Sequence, residues 1–253
     1  MTPESKHGLG RKPSPKDDRD WTPDRLEALM TSGAAVPVQW NDPVVLDQGQ
    51  TPHCVGYGGA GFIATQEANA PADSTVTNAL GEAIYARCKA IDGDDEDGST
   101  LRSLAKALQQ MKVIDHYAFG TFADIMRWVS QFGPVVIGSN WYEGMEEPDA
   151  KGYVHATGED VGGHCTVVRG ASLPDYLDRN SWGKGWGPLH GDCLMAPATR
   201  SKALANGGEV LMAVKLVAPA PGPAPTPDVD AFRKLVEKLK KDIEVILKWL
   251  EGK

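Results

Sequence analysis

From Ala218 to Pro227 every second residue is proline, with only Ala, Gly and Thr between. Neither a helix nor a sheet ladder can run through residues that fix φ and carry no amide hydrogen. The segment reads as an extended, semi-rigid linker. It cuts the chain in two: any large core must be assembled before residue 218, and whatever follows needs its own partner. Residues 228–253 carry Phe232, Leu235, Val236, Leu239, Ile243, Ile246, Leu247 and Leu250 at three- and four-residue steps, which predicts an amphipathic helix. Glu237 with Lys241 and Glu244 with Lys248 support it at i,i+4. A single short helix is marginal alone. Self-association or a protein partner is therefore expected of it, ahead of docking back onto the body.

The other end, residues 1–20, mixes prolines, glycines and charges without apolar periodicity, and reads as a disordered arm. It lacks the hydrophobic stretch of a signal peptide, so synthesis in a cytoplasm is expected. Later association with a virion, or release by a signal-independent route, stays open. Residues 21–217 form the body, long enough to bury a core without staples. The chain carries 26 Lys and Arg against 34 Asp and Glu, a net charge of −8. Binding to nucleic acid needs the opposite balance. No apolar run reaches the ~18 residues of a membrane span. Cys54, Cys88, Cys165 and Cys193 form no CxxC pair, so no zinc site is expected; the thiols should be free in a reducing compartment, and two disulfides stay open for a protein released from the cell. Asp92-Gly-Asp-Asp-Glu-Asp-Gly98 fails as a calcium loop, because Asp97 stands where the turn needs glycine. It reads as a solvated acidic loop that could favour basic substrates. No cofactor or metal is expected.

Within the body, Thr22-Pro-Asp24 opens a short helix and 54–68, 76–91, 100–111 and 121–132 have helical spacing. Strand-like runs follow at 134–138, 165–169, 176–178, 193–195 and 210–217. Helices first and strands later predict an α+β fold.

Three motifs carry chemistry. Asp47-Gln-Gly-Gln-Thr-Pro-His-Cys54 is a turn that runs into a helix at the cysteine. A thiol at the positive end of a helix leans toward the thiolate. Gly162-Gly-His-Cys165 puts a histidine at the head of a core strand, with glycines that admit another backbone. Asn180-Ser-Trp-Gly-Lys-Gly-Trp-Gly187 places two tryptophans among glycines, enough to cover a polar pair. Together they supply a nucleophile, Cys54, a base, His164, and an orienting amide, Asn180. Gln48 can donate to a developing oxyanion together with the Cys54 amide. Cys165 follows His164 on the strand and faces the other way, into the core.

In these blocks the chain resembles the papain-like cysteine proteases. Val38-Gln-Trp40, Gly98-Ser99 and Phe132-Gly-Pro134 extend the similarity over about 36–217. The resemblance implies a helical lobe and a β-barrel-like lobe with the site between them, and peptide hydrolysis through a thioester on Cys54. It implies His164 as base and acid, Asn180 as orienter, Gln48 as oxyanion donor and Trp182 as shield of the His164–Asn180 bond. Gly98, Ser99 and Gly163 would line the groove for a polypeptide substrate. The chain departs from the family signature around the nucleophile: Val55 replaces the aromatic, the preceding cysteine is absent, and His164 and Asn180 follow at less than the usual ~130–150 residues. His53, beside the nucleophile, is expected to point away. Only about 35 residues precede the matching region, so a full-length propeptide of the family's kind is not expected. An inactive scaffold for peptide or partner binding, and a phage or bacterial cell-wall peptide hydrolase, remain alternatives.

Overall fold

The computed structural model describes residues 5–18, 20, 34–65 and 76–215. The chain divides into Met1–Leu216 and Val217–Lys253. The second unit, and with it the expected linker and terminal helix, lies outside the described residues, as does the helix expected at Thr22.

Five α-helices and nine strands occur among the described residues. The helical half holds α1 (Cys54–Ala64), α2 (Asn78–Asp92) and α3 (Leu101–Gln110). The Thr100 hydroxyl accepts the Ser103 amide and starts α3. Gly93, at φ +71°, ends α2 in the left-handed conformation. Helix α1 is covered on nearly all sides, which is why Cys-Val-Gly-Tyr-Gly-Gly-Ala-Gly shows no polar face. Its glycines permit close approach. A Cβ at Gly56 would lie 2.4 Å from the Gly81 carbonyl of α2, and one at Gly58 2.5 Å from the Cys165 sulfur.

The second half is one seven-stranded antiparallel sheet. Its strands are β2 (Val38–Gln39), β4 (Ile114–Gly120), β5 (Val135–Tyr142), β6 (Asp160–Ser172), β7 (Asp175–Arg179), β8 (Asp192–Met195) and β9 (Glu209–Lys215). The order is β4-β9-β5-β6-β7-β8, with β2 also pairing β6. Helices α4 (Asp124–Gln131) and α5 (Pro197–Leu204) complete this half. Strands β5, β6 and β9 read as continuous apolar runs because both sheet faces are covered. Val135, Ile137, Val168 and Met212 enter a core with Trp128 and Trp141. Their neighbours Val136, Val167 and Leu211 are buried on the alternate positions, and Val136 and Leu211 join Ile84, Leu104 and Leu108 of the helices. This is the helical-plus-sheet architecture expected from the sequence.

Three elements depart from expectation, the first being α5, at a place where no helix was expected. Strand β4 lies at the sheet edge with Asp115 and His116 exposed, so it has no clean apolar alternation. The described part of the expected disordered arm, residues 5–18, is seated on the body. Its strand β1 (Arg11–Lys12) pairs in parallel with β3 (Ser99–Thr100). Backbone hydrogen bonds supply what apolar periodicity does not.

Buried charges brace the sheet. Arg169 and Arg179 share the Asp192 carboxylate, and Arg179 also faces Asp42 at 3.3 Å. Arg200 and Asp178 form a fully buried pair, and Thr166 donates to the same carboxylate.

Candidate active site

Cys54 is the first residue of α1, and the turn Asp47-Gln48-Gly49 leads to it. Gly49 takes φ +60° there, and the Asp47 carboxylate accepts the Gly49 amide. His164 lies on β6, which packs on α1 and carries Cys165 against that helix. Cys88, Cys165 and Cys193 are buried, and all four cysteines are free.

The imidazole of His164 is fixed on one side. Its Nε2 lies 2.8 Å from Asn180 Oδ1, and that oxygen also accepts the Ser181 amide at 2.7 Å. An amide oxygen only accepts, so the ring proton sits on Nε2 and the lone pair on Nδ1. Nδ1 is buried and makes no hydrogen bond among the described residues. Trp182 stacks on the ring at 4.6 Å and Trp141 meets it edge-on at 4.7 Å, which keeps water from the His164–Asn180 bond. Gln48 is held by the Ser181 hydroxyl on Oε1. Its Nε2 donates to the Thr51 carbonyl at 2.8 Å and to the Gly8 carbonyl at 3.1 Å.

Gly8 introduces what the sequence did not reveal. Residues 8–11 run through the groove and touch the residues singled out for substrate. Trp182 Nε1 also donates to the Gly8 carbonyl. The Gly10 amide donates to the Gly163 carbonyl at 3.0 Å, and the Ser99 amide donates to the Gly10 carbonyl at 2.9 Å. Gly98, at φ +82°, passes so close that a Cβ there would lie 2.1 Å from that carbonyl oxygen. The arm in turn has room for no Cβ: at Gly8 one would lie 2.2 Å from the Thr51 oxygen, at Gly10 2.2 Å from the Pro52 oxygen. The pattern Gly-Leu-Gly-Arg-Lys was the available signal. His7 stacks on the outer face of Trp182 at 4.2 Å, opposite His164. Lys12 meets Asp94 and Glu96 of the acidic loop.

This cover reverses the electrostatics expected of Cys54. The helix terminus favours a thiolate, but burial pushes the thiol up to about 12, against hydrogen bonds from the backbone of Cys165, Val55 and Arg11. Burial also pushes His164 down to about 4, against its bond to Asn180. In this state both groups are neutral. His53 turns to Glu82 at 2.8 Å and stacks on Tyr85, as the expectation that it points away requires.

No family model matches the chain. Over 101 residues it is 30% identical to cathepsin B of Dictyostelium discoideum, a stretch covering 36% of this chain and 32% of that one. The chain thus spans about a third of the length of that curated relative. Among solved structures, xylellain, a cysteine protease from Xylella fastidiosa, superposes with a TM-score of 0.64 at 18% identity over 86% of this chain and 99% of the other. Procathepsin B S9 from Trypanosoma congolense gives 0.55 at 12% identity, covering 84% and 87%. Digestive procathepsin L 3 from Tenebrio molitor larval midgut gives 0.54 at 15%, covering 73% and 72%. The chain therefore has the papain-like fold.

Proposed function

We propose that a chain with this fold and this site is a cysteine peptidase, closed in the present state by its own N-terminal segment. The observation that carries the reading is the convergence of Cys54, Gln48, Trp182, Gly98, Ser99 and Gly163 on one stretch of extended backbone, residues 8–11. A groove that binds backbone by its amides and carbonyls accepts polypeptide, and here it holds the chain's own.

When residues 8–11 leave, water and substrate replace them. His164 Nδ1 takes the Cys54 proton, and Asn180 stabilises the imidazolium that results. The thiolate attacks the scissile carbonyl. The oxyanion accepts the Gln48 Nε2 hydrogen bond now given to the Gly8 carbonyl, with the Cys54 amide as second donor. His164 returns the proton to the leaving amine, and water then hydrolyses the thioester.

The test compares the full chain, the chain carrying Gly10→Val, whose Cβ would collide with the Pro52 carbonyl and unseat the segment, and that variant with Cys54→Ala added, on a denatured protein substrate and on a mixed peptide library, with circular dichroism as the folding control. Turnover lost by at least about 10³-fold in a folded Cys54→Ala is expected. Turnover retained in Cys54→Ala overturns the mechanism. Absence of turnover in every form, with Cys54 alkylating as an ordinary thiol, favours the inactive scaffold.

A further inference from the structure

His53 stands directly before the nucleophile and is the N-cap of α1. An N-cap residue ordinarily takes extended backbone angles and gives a side-chain oxygen to the first helix amides. His53 does neither: its backbone lies at φ −100°, ψ 13°, and its side chain makes no cap hydrogen bond. Its ring is held from α2 instead. Nδ1 lies 2.8 Å from one oxygen of Glu82, and the Tyr57 hydroxyl of α1 donates to the other at 2.9 Å. A carboxylate only accepts, so His53 Nδ1 carries the hydrogen of that bond. The same ring stacks on Tyr85 at 3.8 Å, and the Tyr85 hydroxyl accepts the Gly98 amide at 3.0 Å.

This clamp acts on a peptide unit and leaves the thiol alone. The Cys54 amide hydrogen lies in the rigid plane between His53 and Cys54, so ψ of His53 sets its direction. That hydrogen is the second donor to the oxyanion. Such a donor is effective only when it is aimed before the charge develops. Gln48, the first donor, is fixed by the Ser181 hydroxyl on its oxygen. The plane that carries the second is tied at its carbonyl end to the Tyr57 amide at 3.2 Å, the long end of the usual range. The imidazole, between Glu82 and Tyr85, ties it at the other. An ion pair as exposed as His53 with Glu82 contributes little to stability. Two hydrogen bonds on one carboxylate and a stacked ring nevertheless define one orientation.

Resting on the reading of Cys54 as the nucleophile of a peptidase, we infer that His53 is a positioning residue for the oxyanion donor at Cys54, held in that role by Glu82 and Tyr85. The ring also links the donor to the groove wall, because Tyr85 holds the Gly98 amide next to Ser99, whose own amide binds the backbone lying in the groove. Loss of the clamp weakens the step in which an oxyanion forms. It leaves intact the reaction of the thiol with an electrophile that forms none.

The experiment is run on the full chain carrying Gly10→Val, with the groove open. Steady-state kinetics on one peptide substrate are compared with the rate at which iodoacetamide alkylates Cys54, a displacement that needs no oxyanion donor. His53→Ala is expected to lower kcat about ten-fold, a fraction of what loss of a whole donor costs. KM and the alkylation rate should stay within about two-fold. His53→Asn, whose amide can keep the bond to Glu82, should recover most of the loss. Glu82→Ala should lower kcat alike, and adding it to His53→Ala should lower kcat no further. Equal falls in kcat and alkylation, no recovery in His53→Asn, or an unchanged kcat overturns the assignment. If His53→Ala does not fold, Glu82→Ala decides by the same comparison. A second measurement needs no turnover. In the chain labelled with 15N-cysteine, Glu82→Ala should shift the Cys54 amide cross-peak and leave those of Cys165 and Cys193 in place. An unmoved Cys54 amide overturns the clamp. A shifted one, with no Cys54-dependent cleavage in any form, would sink the peptidase reading and leave the clamp standing.

Discussion

Asn180 Oδ1 receives two hydrogens, one from the Ser181 amide and one from His164 Nε2, so the side chain that orients the histidine is itself oriented by its own backbone. Replacing Asn180 by Ala frees the imidazole to rotate and to change tautomer. Peptidase activity should fall about 10²-fold, less than for Cys54→Ala, through kcat more than KM. Steady-state kinetics on one peptide checks it. An unchanged kcat would remove Asn180 from the mechanism.

Gly10→Val should open the groove. A side chain at Gly10 collides with the Pro52 carbonyl, and the backbone there holds φ +145°, which L residues rarely adopt. The variant should alkylate at Cys54 with iodoacetamide at least ten-fold faster than the parent near pH 6. His164 should change with it: neutral down to about 4 in the parent, because burial disfavours its charged form, and titrating higher once water enters. The sign for stability follows. Unfolded, the imidazole protonates near 6.5. The closed form therefore loses stability as pH falls from about 6.5 toward about 4. Imidazole NMR on both proteins reads the shift, and identical titration curves would argue against the arm as the cause.

Asp42 gives a separate pH dependence. Burial pushes its carboxyl up to about 6, outweighing Arg179 and Arg169. Its neighbour Asp192 is held below the usual range, because hydrogen bonds from both arginines overcome burial there. A carboxyl with a raised native pKa binds its proton more tightly folded than unfolded. Its contribution to stability therefore declines as pH rises from about 4 to about 6 and is level above that. Asp42→Asn should flatten this component. Urea melts at pH 4.5 and pH 7.5 should show the wild type losing more than the variant, by about 2 kcal/mol.

Gly58→Ala tests the close packing of α1. Alanine is worth up to about 1 kcal/mol in a helix interior. Here its Cβ would lie 2.5 Å from the Cys165 sulfur. The variant should be destabilised by about 1–3 kcal/mol. Adding Cys165→Ala should recover much of that loss, a coupling visible in a double-mutant cycle.

The sequence displayed the site where its chemistry is local. Asp47 to Cys54, Gly162 to Cys165 and Asn180 to Gly187 each hold uncommon side chains in a short span, and the fold brings Gln48, Trp182, His164 and Asn180 into one network. Helices α2 to α4 were visible through their period, and α1 falls where a helix was expected at Cys54 although it has no polar face. What stayed hidden depends on distance. Glu209 reads as any solvated carboxylate at a strand start until Arg11, 198 residues away, is placed on it. The arm was illegible because extended backbone held by backbone leaves no apolar pattern. Its two glycines record only that the groove is narrow. The thiolate expected at Cys54 failed for the same reason: the helix terminus is where it should be, but the desolvating cover comes from elsewhere in the chain.

The parallel pairing of β1 with β3 also has a quantitative consequence. The segment that fills the groove is covalently part of the molecule it closes. Its local concentration is set by chain geometry and does not fall on dilution. For short tethers such concentrations are of order millimolar. A free peptide of similar intrinsic affinity gains a foothold only at comparable concentrations. The closed state thus acts as a threshold that weak or scarce ligands fail to cross, and a single cut in the arm would remove that threshold at once.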